Sequence, residues 1–224
     1  QFYIQSASNL VARKAAELFH QEAVRLDELG QHSQIPTLLA HFEQNRQLYL
    51  VQELIPGKTL MQLLQQKGVC NEVQIWALLQ DLLPVLQYVH THQVIHRDIK
   101  PANIIRREPD GKLVLIDFGV AKLISNTALL HTGTIVGSPE YMAPEQIKGK
   151  AFPASDLYSL GVTCIHLLTE VPPFDMFDAI NDCWVWRDFL PLQKQVSNRL
   201  GKILDKLLQG TVKNRYQSAD AVLQ

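Results

Sequence analysis

The chain has 224 residues, 46% of them hydrophobic and 19% charged, with a formal net charge of -1. That balance excludes a wholly disordered chain and gives no reason to expect a nucleic-acid or membrane-surface partner. Three widely spaced cysteines (Cys70, Cys164, Cys183) fit a reducing, cytoplasmic setting better than a disulfide framework or a CxxC metal site.

Near the start, Leu10, Ala15, Leu18, Glu22 and Leu26 recur at helical spacing and predict a helix over about 9–29, which Gly30 stops. The opening Gln1–Ile4 has neither the basic start nor the cleavage site of a signal peptide. Two strand-like runs follow, Leu38–Phe42 and Leu48–Leu54, joined by the polar stretch Glu43–Gln47. Pro56-Gly57 then breaks the chain. Asn71 and Gln74 are spaced as a capping box opening a long helix, with Ile75, Leu78, Leu79, Leu82, Leu86 and Val89 on one face. Pro84 inside that helix costs about 3 kcal/mol unless the helix kinks.

Residues 103–117 predict a hairpin. Ile104-Ile105 and Leu113–Ile116 are its arms, and Pro109-Asp110-Gly111 is its turn. From Ser155 onward further helices are expected. The run Leu157–Leu168 is too apolar for a surface helix, but Ser159 and His166 interrupt it and it is too short to span a membrane. The pattern therefore places a strand-bearing piece before Pro56 and a larger, mainly helical piece after it.

The chemistry concentrates in three places. His96-Arg97-Asp98-Ile99-Lys100-Pro101-Ala102-Asn103 lies between the long helix and the hairpin. The hairpin ends in Asp117-Phe118-Gly119, and the run from Gly137 to Glu145 (Gly-Ser-Pro-Glu-Tyr-Met-Ala-Pro-Glu) follows. Phosphoryl transfer to a hydroxyl needs a base, cations on the phosphates and ligands for those cations. Asp98 can orient a hydroxyl and accept its proton. Lys100, two residues on in an extended loop, brings an ammonium to the same side to neutralise developing charge. Asn103 and Asp117 offer hard oxygens to magnesium, which is usually held by few protein oxygens plus phosphates. Gly119 lets the backbone turn behind Asp117. Taken singly, Asp98, Asn103 and Asp117 would pass for turn and cap residues. In this order around a hairpin they point to one site.

In order and spacing these segments resemble the catalytic loop, metal-binding triplet and end of the activation segment of a protein kinase, most like the eukaryotic-type serine/threonine kinases of bacteria. The resemblance implies an α+β, two-lobed protein kinase-like fold. Residues 1–55 would be a partial N-lobe of the regulatory helix and two strands, and residues 56–224 a complete, mainly helical C-lobe. It implies ATP and Mg2+ as cofactors and protein hydroxyls as acceptors. Lys100 and Ser138-Pro139 look like the serine/threonine version rather than the tyrosine one.

Residue by residue, the resemblance makes Glu22 the regulatory-helix glutamate that pairs with a strand lysine. Gln52 would be the gatekeeper, Glu53-Leu54-Ile55 the hinge against the adenine edge, and Ile105 the apolar floor under the base. Leu26, Leu38, His96 and Phe118 would stack as a spine anchored by Asp156, and Glu145 would pair with Arg215. The Ser138 hydroxyl would bond Asp98 and Lys100. Arg97 beside Asp98 implies that a phosphate on the activation segment orders it. Thr132 and Thr134 are the best acceptors, ahead of Ser125 and Thr127.

The front departs from the family. No glycine precedes Gly30, so no glycine-rich loop is present, and no Val-Ala-Ile-Lys-like strand is found. Lys14 shares a helix with Glu22 and cannot be the strand lysine, which the resemblance puts just before Gln1. The chain thus reads as part of a longer protein, with room for a sensory domain or a kinase dimer in the parent. The 224 residues alone are expected to transfer little phosphate, and the parent to be active. Leu38 and Val51 are expected to lie uncovered on a bare sheet. The alternative is a non-catalytic pseudokinase or truncated regulatory module, against which the intact Asp98, Asn103 and Asp117 stand. A small-molecule phosphotransferase is disfavoured by Ser138 and Ala143-Pro144-Glu145, which belong to a protein-docking surface in the family.

Overall fold

The computed structural model describes residues 2–3, 19–20, 23–24, 26–45, 47–108, 110–118, 138–192 and 195–224. Its architecture is α+β. Strands β1 (Phe2–Tyr3), β2 (Leu38–Gln44) and β3 (Gln47–Gln52) form an antiparallel sheet in the order β1-β3-β2. The β2–β3 turn is tighter than the five-residue connection expected, because Asn45 takes φ 53° and the polar Glu43 and Gln44 pair within the ladder. Strand β1 is a third strand where two were expected; two residues carry no periodicity to read. Residues 19–20, 23–24 and 26–29 are helical, in agreement with the helix expected over 9–29, while Glu22 lies outside the described residues.

The expectation for Leu38 needs correcting. Val51 is 41% exposed, but Leu38 is only 8% exposed because it joins the core cluster that includes Leu26 and Leu29. Gly30 permits this approach. Its N–H bonds the Leu26 carbonyl at 2.9 Å, and a Cβ on it would fall 3.1 Å from the Cα of Thr37.

A second sheet, β4 (Gly57–Thr59), β5 (Ile104–Arg107) and β6 (Leu113–Leu115), runs antiparallel in that order. The predicted hairpin is its β5–β6 half, with Ile104 opposite Leu115. Strand β4 falls where the sequence reads as a break. Gly57 has φ 152°, and a Cβ there would lie 2.2 Å from the Arg106 carbonyl oxygen, so glycine is what allows the two strands to meet.

Helix α1 (Leu60–Lys67) opens on a Thr59/Gln62 capping box, with bonds of 3.1 and 2.9 Å. Helix α2 (Glu72–Thr91) opens on the predicted Asn71/Gln74 box, with bonds of 2.9 and 2.8 Å, and runs through an exposed Pro84. Helices α3 (Pro144–Ile147), α4 (Pro153–Thr169), α5 (Asn198–Leu207) and α6 (Asp220–Leu223) complete the larger part, with a short pair β7 (Phe177–Asp178) and β8 (Cys183–Trp184). Every residue of α4 after Pro153 is buried. A Cβ on Gly161 would stand 2.9 Å from the Leu207 Cβ, so this glycine sets how closely α4 and α5 pack. Gln34 ties the front to the back. Its side-chain nitrogen donates to the Leu113 carbonyl at 2.8 Å, and its own carbonyl accepts the Leu115 N–H at 3.0 Å.

Candidate active site

Asp156, in the first turn of α4, is fully buried and needs donors. It has three. One carboxylate oxygen accepts the His96 N–H at 2.9 Å and lies 2.9 Å from His90 Nε2; the other accepts the Arg97 N–H at 2.9 Å. The loop after α2 is thereby clamped onto α4. Arg97 sits at φ 68°, a conformation uncommon outside glycine, and this clamp fixes it there. Gln146 adds a bond of 2.6 Å to the Arg97 carbonyl. Neither His90 nor Gln146 carries a signal in the sequence, since both contacts join distant segments.

His96 is completely buried. Its Nδ1 accepts the Asp98 N–H at 3.2 Å, so Nε2 carries the proton and donates to the Ile116 carbonyl at 3.1 Å. Burial pushes the ring's pKa below its ordinary value, in agreement with that neutral tautomer. The His96 ring packs against Phe118, with centroids 4.5 Å apart. Leu26, Leu38, His96 and Phe118 are all buried.

Asp98 follows on the same strut. Its carboxylate accepts from Asn103 Nδ2 at 2.8 Å and meets Lys100 Nζ at 3.1 Å. The Asn103 amide also donates to the Asp98 carbonyl at 2.9 Å, which assigns its nitrogen and leaves Oδ1 an acceptor with no partner among the described residues. Lys100 Nζ donates to Ser138 Oγ at 2.9 Å. The structure thus brings Asp98, Lys100, Asn103 and Ser138 into one network. Asp117 stands beside it, because the Ile116 N–H bonds the Asn103 carbonyl at 3.0 Å. Asp117 has φ 61°, is exposed, and makes no hydrogen bond or ion pair among the described residues. Among the described residues no cluster of three or more histidine, cysteine, aspartate or glutamate side chains forms a closed metal cage.

The other expected residues divide. Glu53 turns its carboxylate to Thr37, accepting the N–H at 3.3 Å and the hydroxyl at 3.2 Å, while its own N–H bonds the Thr37 carbonyl at 2.9 Å. Ile55 is buried, Leu54 is exposed, and Ile105 is half-buried between Thr59 and Val114. Gly119, Ser125, Thr127, Thr132 and Thr134 lie outside the described residues, as Glu22 does.

Behind Ser138 the segment is fastened to α4 twice. The Tyr141 hydroxyl meets His166 Nδ1, and Ser159 Oγ donates to the Tyr141 carbonyl at 2.8 Å. Burial raises the Tyr141 phenol and lowers the His166 ring, so the pair stays neutral and the hydroxyl donates. Ser159 and His166, which interrupt the apolar run in the sequence, are the two residues that hold this segment.

Glu145 and Arg215 form a two-point pair at 2.7 and 2.8 Å, with the Ser155 hydroxyl donating to the same carboxylate at 2.6 Å. Burial alone would raise the Glu145 carboxyl, but the Arg215 guanidinium and Ser155 outweigh it and hold it below its ordinary value. Arg215 also donates to the carbonyls of Gln209, Ala154 and Gly210 and lies 4.7 Å from the Tyr158 ring centroid.

Residues 5–224 match the protein kinase domain family model. The chain belongs to that family. The kinase domain is 45% identical over 93% of its length to serine/threonine-protein kinase C of Synechocystis, and 40% identical over 93% of its length to serine/threonine-protein kinase PknA of Nostoc. These matches cover 40% and 38% of those relatives, so the chain spans about two fifths of their length. Among solved structures it is similar to PpkA-294 in its apo form, with TM-score 0.76 and 26% identity over 94% of this chain and 74% of that one. It is also similar to the PknI kinase domain of Mycobacterium tuberculosis, with TM-score 0.69 and 25% identity over 95% and 82%. Among the described residues no helix is long and apolar enough to cross a membrane.

Proposed function

We propose that this domain is the phosphotransfer core of a cytoplasmic, ATP-dependent serine/threonine protein kinase. The single observation that carries the reading is the Asp98–Lys100–Asn103–Ser138 network, with Asp117, which makes no hydrogen bond or ion pair among the described residues, joined to it through Ile116. Asp98 orients the acceptor hydroxyl and takes its proton. Lys100, within 3.1 Å of Asp98, offsets the charge that spreads over the transferring group. Ser138 holds Lys100 toward the acceptor.

The Asn103 Oδ1 and the Asp117 carboxylate would hold magnesium, whose chemistry there is to neutralise phosphate charge. Two protein oxygens fit an ion that keeps phosphates and water as its other ligands. The Glu53 carbonyl and the Ile55 N–H, which make no hydrogen bond among the described residues, would meet the adenine edge over Ile105. Residues 1–55 and 56–224 would act as the two lobes, with Glu22 contributing from the first. Names of the relatives support protein serine and threonine hydroxyls as acceptors. Arg97 would receive a phosphate from Thr132 or Thr134, which mass spectrometry of an active sample tests directly; unmodified threonines in an active enzyme remove that switch.

The main test is phosphate transfer to a generic protein substrate by the parent protein and its Asp98→Asn and Asp117→Ala variants. Each variant should lose at least about a hundredfold. Undiminished transfer in either overturns the role given to that residue. The alternative reading of these 224 residues is a non-catalytic binding module. Robust turnover by the isolated chain would rule that reading out.

A further inference from the structure

Helix α1, helix α2 and the β5–β6 hairpin line an open pocket of about 600 Å3, within the size range of small-molecule sites. None of its lining residues belongs to the network described above. Its floor is aliphatic and buried: Leu60, Leu64, Leu78, Leu113 and Leu167. Its mouth is charged, with Lys67, Arg106 and Lys112 against Asp81 and Asp110.

Most of these charges are already engaged. One Asp81 oxygen lies 3.0 Å from Lys112 Nζ, and the other accepts the Leu113 N–H at 2.7 Å. Asp110 is gripped by Arg107 at 3.1 and 2.7 Å. The side chains of Lys67, in the last turn of α1, and Arg106, on β5, make no hydrogen bond or ion pair among the described residues. A Cβ on Gly111 would lie 3.8 Å from the Arg106 Nε and Nη2, so position 111 puts no side chain over the guanidinium.

We propose that this cavity binds a small amphipathic monoanion, a medium-chain acyl carboxylate. The chain lies on the leucine floor and the carboxylate on Lys67 and Arg106. Asp81 is offset by Lys112 and Asp110 by Arg107, which leaves the Lys67 and Arg106 cations to share one carboxylate and the leucine floor to take its apolar tail. A peptide would bring N–H and C=O groups that a leucine floor cannot answer. Cys70 also lines the cavity, whereas Cys183 is exposed elsewhere and Cys164 is buried.

Isothermal titration of the 224-residue chain with sodium dodecanoate, below its micelle concentration, should show one saturable site. Decanoate, two methylenes shorter, should bind about tenfold more weakly. Dodecyltrimethylammonium, with the same chain and the opposite charge, should bind at least about tenfold more weakly than dodecanoate. The Lys67→Glu/Arg106→Glu variant should lose about tenfold in dodecanoate affinity while keeping its thermal midpoint. Independently of any variant, dodecanoate should slow alkylation of Cys70 and leave Cys183 unchanged. Non-saturable uptake, equal affinity for the cationic analogue, or indifference of both the charge-reversed variant and the Cys70 rate would overturn the proposal.

Discussion

Helix α4 and strand β2 both look apolar in the sequence, yet they stand at opposite ends of the molecule's energetics. Sixteen of the seventeen residues of α4 are buried, against one of the seven in β2. In β2 the polar side chains meet water, and Leu39 and Phe42 face outward at 64% and 41% exposure. In α4 the polar side chains are the wiring: Ser155 reaches Glu145, Asp156 holds the His96 and Arg97 backbone, Ser159 and His166 hold Tyr141. A buried polar residue with a partner organises a site, whereas an exposed apolar residue of the same chain only lies on a surface.

That contrast is open to direct attack. The largest effect should come from Arg215→Ala, which strands Glu145 beside α4 and should cost about 3–5 kcal/mol, read as a drop in the urea midpoint at constant slope. A shift under about 1 kcal/mol would mean that the pair lies outside the cooperative core. Leu160→Ala, at a position with no exposure, should cost about 2–5 kcal/mol by opening a cavity within α4.

Next in size is the acid response. Because burial lowers the His96 pKa, the unfolded chain takes up a proton near pH 6.5 that the folded chain refuses. Stability is therefore full above that value and falls as pH drops below it. Glu145, held below its ordinary 4.5, adds a second loss as pH falls through the carboxylate range. Urea midpoints that stay flat from pH 7.5 to 5 would contradict a buried neutral His96. The smallest effect is reserved for β2. Phe42→Ala should change stability by less than about 1 kcal/mol, through its stacking on Tyr49 at 5.1 Å. A cost equal to that of Leu160→Ala would erase the distinction.

What the sequence disclosed follows the same division. Helix α2 is readable because a capping box and a long apolar face agree, and the β5–β6 hairpin because its turn chemistry lies between two short apolar runs. Strands β1 and β4 are too short to show a period, and β4 depends on one glycine meeting a carbonyl 49 positions away (106 − 57 = 49). The burial of Leu38 is not legible because the lack of neighbouring front strands says nothing about which helix covers one end of β2. Asp98, Lys100, Asn103 and Ser138 were legible as a set through family resemblance. The third donor to Asp156, His90, and the Tyr141–His166 contact were not, since each joins segments that only the folded chain brings together. Glu22, Thr132 and Thr134 lie outside the described residues.

The double grip of Asp156 gives the loop that carries His96 and Arg97 an unusual standing. A segment without regular secondary structure ordinarily trades its amide protons with solvent quickly, through small local openings. The His96 and Arg97 amides are bonded to a carboxylate buried in α4, so in deuterated buffer they should persist with the helical amides. Irregular in shape, the loop is on that clock a part of the helix.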